Sequence, residues 1–371
     1  MTARRRLTIF SLHRHITTVM PLLIPPYPLP MKIFILPSLS LSTVASSFAL
    51  PLHNPTKDIP ILGSDTADFT HYKFWDFRAL STVQNTTQIP LEHTPFNTAW
   101  EAQSWRREPT GDSSWPMVNS KANVFLTQHP DQPSSSILVL RTTRFSNYFS
   151  TAEIESRLGN YQHCSWRVRM RLMSQSTISE NDSPSQDPGS TAERVPPGAC
   201  AGMFIYRSAT CESDLEILTS DSQRTIHYAN QPDYDPVSDK MTPGFSRTVT
   251  DLPAPWTTWV THRMDWAPGA TRWYADDQLQ TVIELGVPDR PSLVALNLWS
   301  DGGVWTGDMA VGQSVYLGIE WIELAYNLST PGLDVPFVRY REEALPSKNI
   351  GERRGVPRIR AYKPDTKGSV S

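Results

Sequence analysis

The sequence predicts an all-β protein, an antiparallel β-sandwich of the jelly-roll type, and three observations carry that prediction. Prolines number 32 against 18 glycines, and proline breaks helix interiors because it lacks a donor and clashes with the preceding turn. Several stretches alternate apolar and polar residues with a period of two, as a strand with one buried face does. No segment longer than a turn or two keeps a 3.6-residue period. Many short strands without crossover helices pair antiparallel.

The elements follow in chain order. Residues 136–140 form an apolar run of strand length. In residues 166–172, Trp166, Val168, Met170 and Leu172 share one face, while Arg167, Arg169 and Arg171 share the other, expected to be solvated. Residues 174–197 are polar and of low complexity, which reads as a surface loop inserted between two strands. Residues 201–206 and 293–299 are further strand-length apolar runs. Residues 272–279 read as two strands joined by a tight turn at Asp276-Asp277. Residues 316–326 supply the last alternating strand.

With 371 residues the chain is long enough for one large β domain and a sizeable core. Charged residues are 19% and hydrophobic residues 39%, which excludes wholesale disorder and a polytopic membrane protein. A net charge of −3 gives no global electrostatic case for nucleic-acid binding. That charge is an average of unlike pieces. Residues 1–49 hold five basic residues and no acid, and residues 329–371 hold nine basic and five acidic residues. The middle keeps 20 basic and 32 acidic residues, a net of −12, together with all 12 tryptophans.

Residues 1–49 read as a secretory signal region, whose true start is either Met1 or Met31. Lys32 precedes the apolar run Ile33-Phe34-Ile35-Leu36, and Ser47-Phe48-Ala49 fits a small-x-small cleavage site. Residues 50–70 are a linker, residues 71–328 the β domain, and residues 329–371 a basic tail expected to be disordered. The expectation is a secreted, extracellular monomer without a membrane span, with cell-wall association through the tail as a further option. Asn85-Thr86-Thr87 and Asn327-Leu328-Ser329 are glycosylation sequons; Asn181-Asp182-Ser183 is weakened by Pro184. Cys164, Cys200 and Cys211 allow one disulfide, whose pairing stays open, and have no zinc-ligand spacing.

The decisive segment is Cys211-Glu212-Ser213-Asp214-Leu215-Glu216-Ile217-Leu218. On a strand, Glu212, Asp214 and Glu216 share one face and Leu215 and Ile217 the other. A row of three carboxylates is electrostatically costly and should raise the pKa of one member. That suits a general acid working with a nucleophile, although a solvated strand face would show the same alternation. Among the aromatic and polar residues, Trp299 and Trp305 bracket a Gly-rich loop, where indole faces stack on sugar rings. Tyr228, Asn230 and Tyr206 are candidates for sugar contacts. Trp166, Trp266, Trp273 and Trp321 read as core, and His227 and His262 as structural. No P-loop, dinucleotide fingerprint or Ser/His/acid triad is present in the sequence.

The ExDxE strand resembles the catalytic motif of glycoside hydrolase family 16, in the concanavalin A-like lectin/glucanase group, and the chain looks like a fungal-type secreted member. Four other stretches follow the same order: Phe74-Trp75-Asp76-Phe77-Arg78, Arg263-Met264-Asp265-Trp266-Ala267-Pro268-Gly269, residues 298–307, and Ile319-Glu320-Trp321-Ile322-Glu323. The resemblance covers residues 70–328. It implies a jelly roll with a concave cleft, a polysaccharide substrate of the β-glucan class, Glu212 as nucleophile and Glu216 as acid/base. Asp214 would tune the nucleophile, and Asn230 would match a cleft asparagine. No cofactor is implied; some relatives hold a structural calcium, but no carboxylate cluster here calls for one. Hydrolysis and transglycosylation stay equally open, and a non-catalytic glycan-binding protein on the same fold is the alternative.

Overall fold

A computed structural model describes residues 69–79, 88–109, 113–178, 194–235, 237–238 and 240–329. The signal region, most of the linker, Asn85, Asn181, most of the polar insert and the tail beyond Ser329 lie outside the described residues. The strands begin with β1 (His71–Asp76), β2 (Ile89–Pro90), β3 (Trp100–Ala102), β4 (Arg106–Arg107) and β5 (Met117–Asn119). Then come β6 (Val124–His129), β7 (Gln132–Arg144), β8 (Phe149–Ser156) and β9 (Tyr161–Met173). The middle holds β10 (Cys200–Ser208), β11 (Cys211–Leu218), β12 (Ile226–Asn230), β13 (Tyr234–Asp235), β14 (Lys240–Met241) and β15 (Ser246–Val249). The last are β16 (Val260–Ala267), β17 (Ala270–Ala275), β18 (Gln278–Ile283), β19 (Leu293–Trp299) and β20 (Ser314–Leu328).

Two antiparallel layers result. The first runs β18-β17-β16-β9-β20-β7-β6-β2, with β1 beside the C-terminal half of β20. The second runs β15-β12-β11-β10-β19-β8-β3. β8 joins both, since its first residues pair with β7 and its last with β19. One apolar core lies between them: Trp166, Val168, Met170 and Met264 from the first layer meet Met203, Ile205, Leu215 and Leu296 from the second. The all-β antiparallel sandwich is therefore as the sequence predicts.

Residues 166–172 fall in β9 with the predicted alternation, but the arginine face is more than solvated. Arg167 pairs with Glu323 at 3.3 Å, Arg169 with Glu320 at 2.8 Å, and Arg171 with Asp131 at 3.0 Å. The turn between β17 and β18 has φ of 45° at Asp276 and 62° at Asp277, as a two-residue hairpin of type I′ requires. Trp166, Trp266 and Trp273 are fully buried. Trp321 is not core: it shares the outward face of β20 with Glu323 and packs on Phe74 at 5.8 Å. The three cysteines are buried and none is in a disulfide. Cys200 and Cys211 sit at opposite ends of their strands, across from Leu218 and Ser208. Among the described residues no helix is long and apolar enough to cross a membrane.

Candidate active site

β11 lies inside the second layer, paired on one side with β10 and on the other with β12. Leu215 and Ile217 enter the core, so Glu212, Asp214 and Glu216 must occupy the opposite face. Their exposures are only 3%, 5% and 4%. A solvated strand face would leave such side chains open to water. Here they form a buried floor on the face of the layer that points away from the core, where neighbouring carboxylates interact strongly. Gln231 fixes the central one, donating from Nε2 to Asp214 Oδ2 at 2.8 Å. The backbone NH of Asp233 donates in turn to Gln231 Oε1 at 3.2 Å.

Strand register extends this floor sideways. Opposite Glu212 on β10 is Tyr206, half-buried and edge-on to Phe204 at 6.4 Å. The row from Asp214 passes through Phe204 and Ala295 to Glu155 and Glu101. The row from Glu216 passes through Gly202 and Asn297 to Glu153. Gly202 is a close approach: a Cβ there would stand 2.5 Å from Asn297 Oδ1. That oxygen is buried and has no hydrogen-bond partner among the described residues. Asn297 and Trp105 both hydrogen-bond Glu153, the latter from Nε1 at 3.2 Å. Burial, and then the charge of Glu155, push the Glu153 carboxyl up to about 8, and the two carboxyls share a hydrogen bond.

Two sugar-contact candidates lie elsewhere. Tyr228 pairs with Leu215 rather than with a carboxylate, so it points into the core and packs on Trp273 at 5.6 Å. Asn230 pairs with Ser213 and faces the same way; it accepts from Ser213 Oγ at 2.6 Å and donates to the Leu285 carbonyl at 2.9 Å. The residues of β12 that share the carboxylate face are His227 and Ala229, opposite Glu216 and Asp214. His227 is held by Asp221 at 2.7 Å and Thr248 at 2.9 Å and lies edge-on to Trp305 at 5.0 Å. His262 is buried, and burial lowers its imidazole to about 4.

Trp299 and Trp305 reach the end of the floor beyond Glu216, where Leu218 pairs with Cys200 and Cys200 with Trp299. They are not open platforms. Trp299 is 1% and Trp305 5% exposed, enclosed with Trp105, Met117, Cys200 and Leu218. The Arg107 guanidinium stands 5.7 Å from the Trp299 ring centroid and pairs with buried Asp301 at 2.7 Å. They therefore build an end wall. Glu153, Glu155, Asn297, Gly202 and Gln231 are floor residues that motif reading passes over. The alternation of Glu153-Ile154-Glu155 is the one local signal of them. No group of three or more His, Cys, Asp or Glu among the described residues is set to hold a metal ion.

No family model matches the chain. The β-glucanase of Paenibacillus polymyxa is 30% identical over 73 residues, 19% of this chain and 31% of the relative. That of Paenibacillus macerans is 30% identical over 69 residues, 18% of this chain and 29% of the relative. The chain thus spans about a third of the length of these curated relatives. The solved β-glucanase of Bacillus licheniformis overlays 66% of this chain and 98% of its own, with 18% identity and a TM-score of 0.46. The chain resembles glycoside hydrolase family 16 in the order of its motifs and is similar in sequence to bacterial β-glucanases.

Proposed function

We propose that the chain is a secreted, retaining glycosidase or transglycosylase acting on β-1,3 or β-1,3/1,4 glucan, with the cell wall as its setting. The carrying observation is the buried carboxylate row Glu212, Asp214 and Glu216 on the face of a central strand that points away from the core. The similarity to β-glucanases supports the substrate class.

Strand geometry fits the chemistry. Cα atoms four residues apart on a strand are about 13 Å apart, and two glutamates leaning together approach the ~5–5.5 Å carboxyl separation of retaining enzymes. Glu212 attacks the anomeric carbon while Glu216 protonates the departing glycosidic oxygen, leaving a glycosyl ester on Glu212. Glu216 then takes the proton of the incoming water or sugar hydroxyl as that oxygen displaces Glu212. Asp214, oriented by Gln231, lies between them to hydrogen-bond and tune the nucleophile. Tyr206, beside Glu212, is the aromatic placed to pack on the sugar at the reacting bond.

Product release from laminarin, lichenan and xyloglucan by wild type and Glu212→Gln tests this reading. Cleavage by wild type and its loss in Glu212→Gln are expected. Equal activity in both removes Glu212 from the mechanism. Binding without cleavage by wild type supports a glycan-binding protein instead.

A further inference from the structure

Gln231 follows β12 directly, at the end of the floor nearest Glu212, and three hydrogen bonds hold it there. Its backbone N–H donates to the Glu212 carbonyl at 2.9 Å, which ties it to the residue assigned as nucleophile. Its side chain is buried, and the carboxamide has one sensible orientation. The Asp233 N–H can only donate, so the acceptor Oε1 faces it at 3.2 Å and the donor Nε2 faces Asp214 Oδ2 at 2.8 Å. Most groups around this contact that can carry charge are acids. β11 brings Glu212 and Glu216 beside Asp214, β10 brings Tyr206, and β12 brings His227 with its partner Asp221. Asp233 lies beyond the carboxamide, and the Gly286 turn against the Gln231 carbonyl brings the uncharged Phe245 ring.

We propose that Gln231 is a positioning residue for glycan cleavage: its carboxamide commits Asp214 Oδ2 as an acceptor, so that Oδ1 is the oxygen Asp214 offers to Glu212. The inference rests on the glycosidase reading of β11 and adds a residue to it. An N–H aimed at a carboxylate oxygen favours the ionised group and fixes its rotation. Oδ2 cannot then hold a proton directed at Nε2, because the amide nitrogen carries donors only. Asp214 thus meets Glu212 in one orientation through both displacements, and no reorganisation is needed as charge moves on and off the nucleophile. A neutral amide keeps this role at every pH. A carboxyl in its place fills it only while protonated, with one oxygen accepting from Asp233 and the O–H donating to Asp214. Once ionised it has no donor and adds a like charge to the row. A residue that merely filled space would not register that difference.

The test is steady-state cleavage of lichenan and laminarin by wild type, Gln231→Leu and Gln231→Glu between about pH 4 and about pH 8, with the melting temperature of each protein. Gln231→Leu should lower kcat about tenfold or more while KM stays within about twofold, the pattern of an interaction that acts in the transition state. Gln231→Glu should keep kcat within about threefold of wild type near pH 4, where a glutamate carboxyl still holds its proton, and fall steadily behind as pH rises. A wild-type kcat in Gln231→Leu overturns the proposal. So does a ratio of Gln231→Glu to wild type that stays constant across the pH range, which is what a structural role gives. If Gln231→Leu does not fold, that ratio decides alone. Absence of cleavage of either glucan by wild type sinks the glycosidase reading, whereas cleavage by wild type that the Gln231 variants leave unaltered sinks only this inference.

Discussion

The outward face of the first layer and the cleft face of the second are both built from charged residues on central strands, and they solve the charge problem in opposite ways. On the first, Arg167, Arg169 and Arg171 each meet an acid across the strand or loop, at 2.8–3.3 Å. Alternating signs at a surface stabilise modestly and call for no ligand. On the second, Glu212, Asp214 and Glu216 stand beside one another, with Glu153 and Glu155 in the continuation of their rows. Like charges at low exposure raise the folded state's free energy. A fold keeps them when they react with or bind something, and that contrast separates a structural charge pattern from a chemical one.

The comparison breaks first at Glu212 and Glu216. Replacing Glu216 by Gln should lower the rate of glucan cleavage by about 10²–10⁴-fold, the usual worth of a general acid, with an unchanged fold by circular dichroism. Gly202→Ala comes next. Its new methyl meets Asn297 Oδ1 at 2.5 Å, so a loss of about 1–3 kcal/mol is expected from overpacking, read by urea denaturation. A stability loss near zero would show that Asn297 moves freely.

The third prediction concerns pH. The folded chain holds Glu153 protonated up to about 8, whereas the unfolded chain releases that proton near the ordinary ~4.3. Unfolding therefore releases a proton between these values, and stability from this group is full at low pH and lost as pH rises through about 8. Glu153→Gln should match wild type near pH 4 and melt at a higher temperature than wild type above pH 8, read by thermal denaturation at the two pH values. The smallest effect belongs to the other face. Arg167→Ala breaks a partly exposed pair and should change stability by at most about 0.5 kcal/mol, without touching glucan cleavage.

Alternation makes much of this legible in the sequence. The apolar and basic faces of β9 and the carboxylate face of β11 both follow from a period of two, because each face is settled within one strand. The faces of β12 are not settled that way. Whether Tyr228 or His227 joins the carboxylates depends on the register Leu215–Tyr228, and register is a property of two strands and their turn. The same holds for Glu153 and Glu155, whose alternation is plain but whose place in the carboxylate rows needs the order β8-β19-β10-β11. Trp299 and Trp305 were legible as neighbours of the cleft but not as buried, since Trp105 and Met117, which enclose them, come from nearly two hundred residues earlier in the chain.

The central claim is that Glu212 and Glu216 act on a glycosidic bond by double displacement, and the stereochemistry of the first product tests it most directly. Proton NMR of newly released reducing ends should show the β-anomer first, with the α-anomer growing in later by mutarotation. An α-anomer formed first would mean a single displacement by water, and would contradict the assignment of Glu212 as the nucleophile.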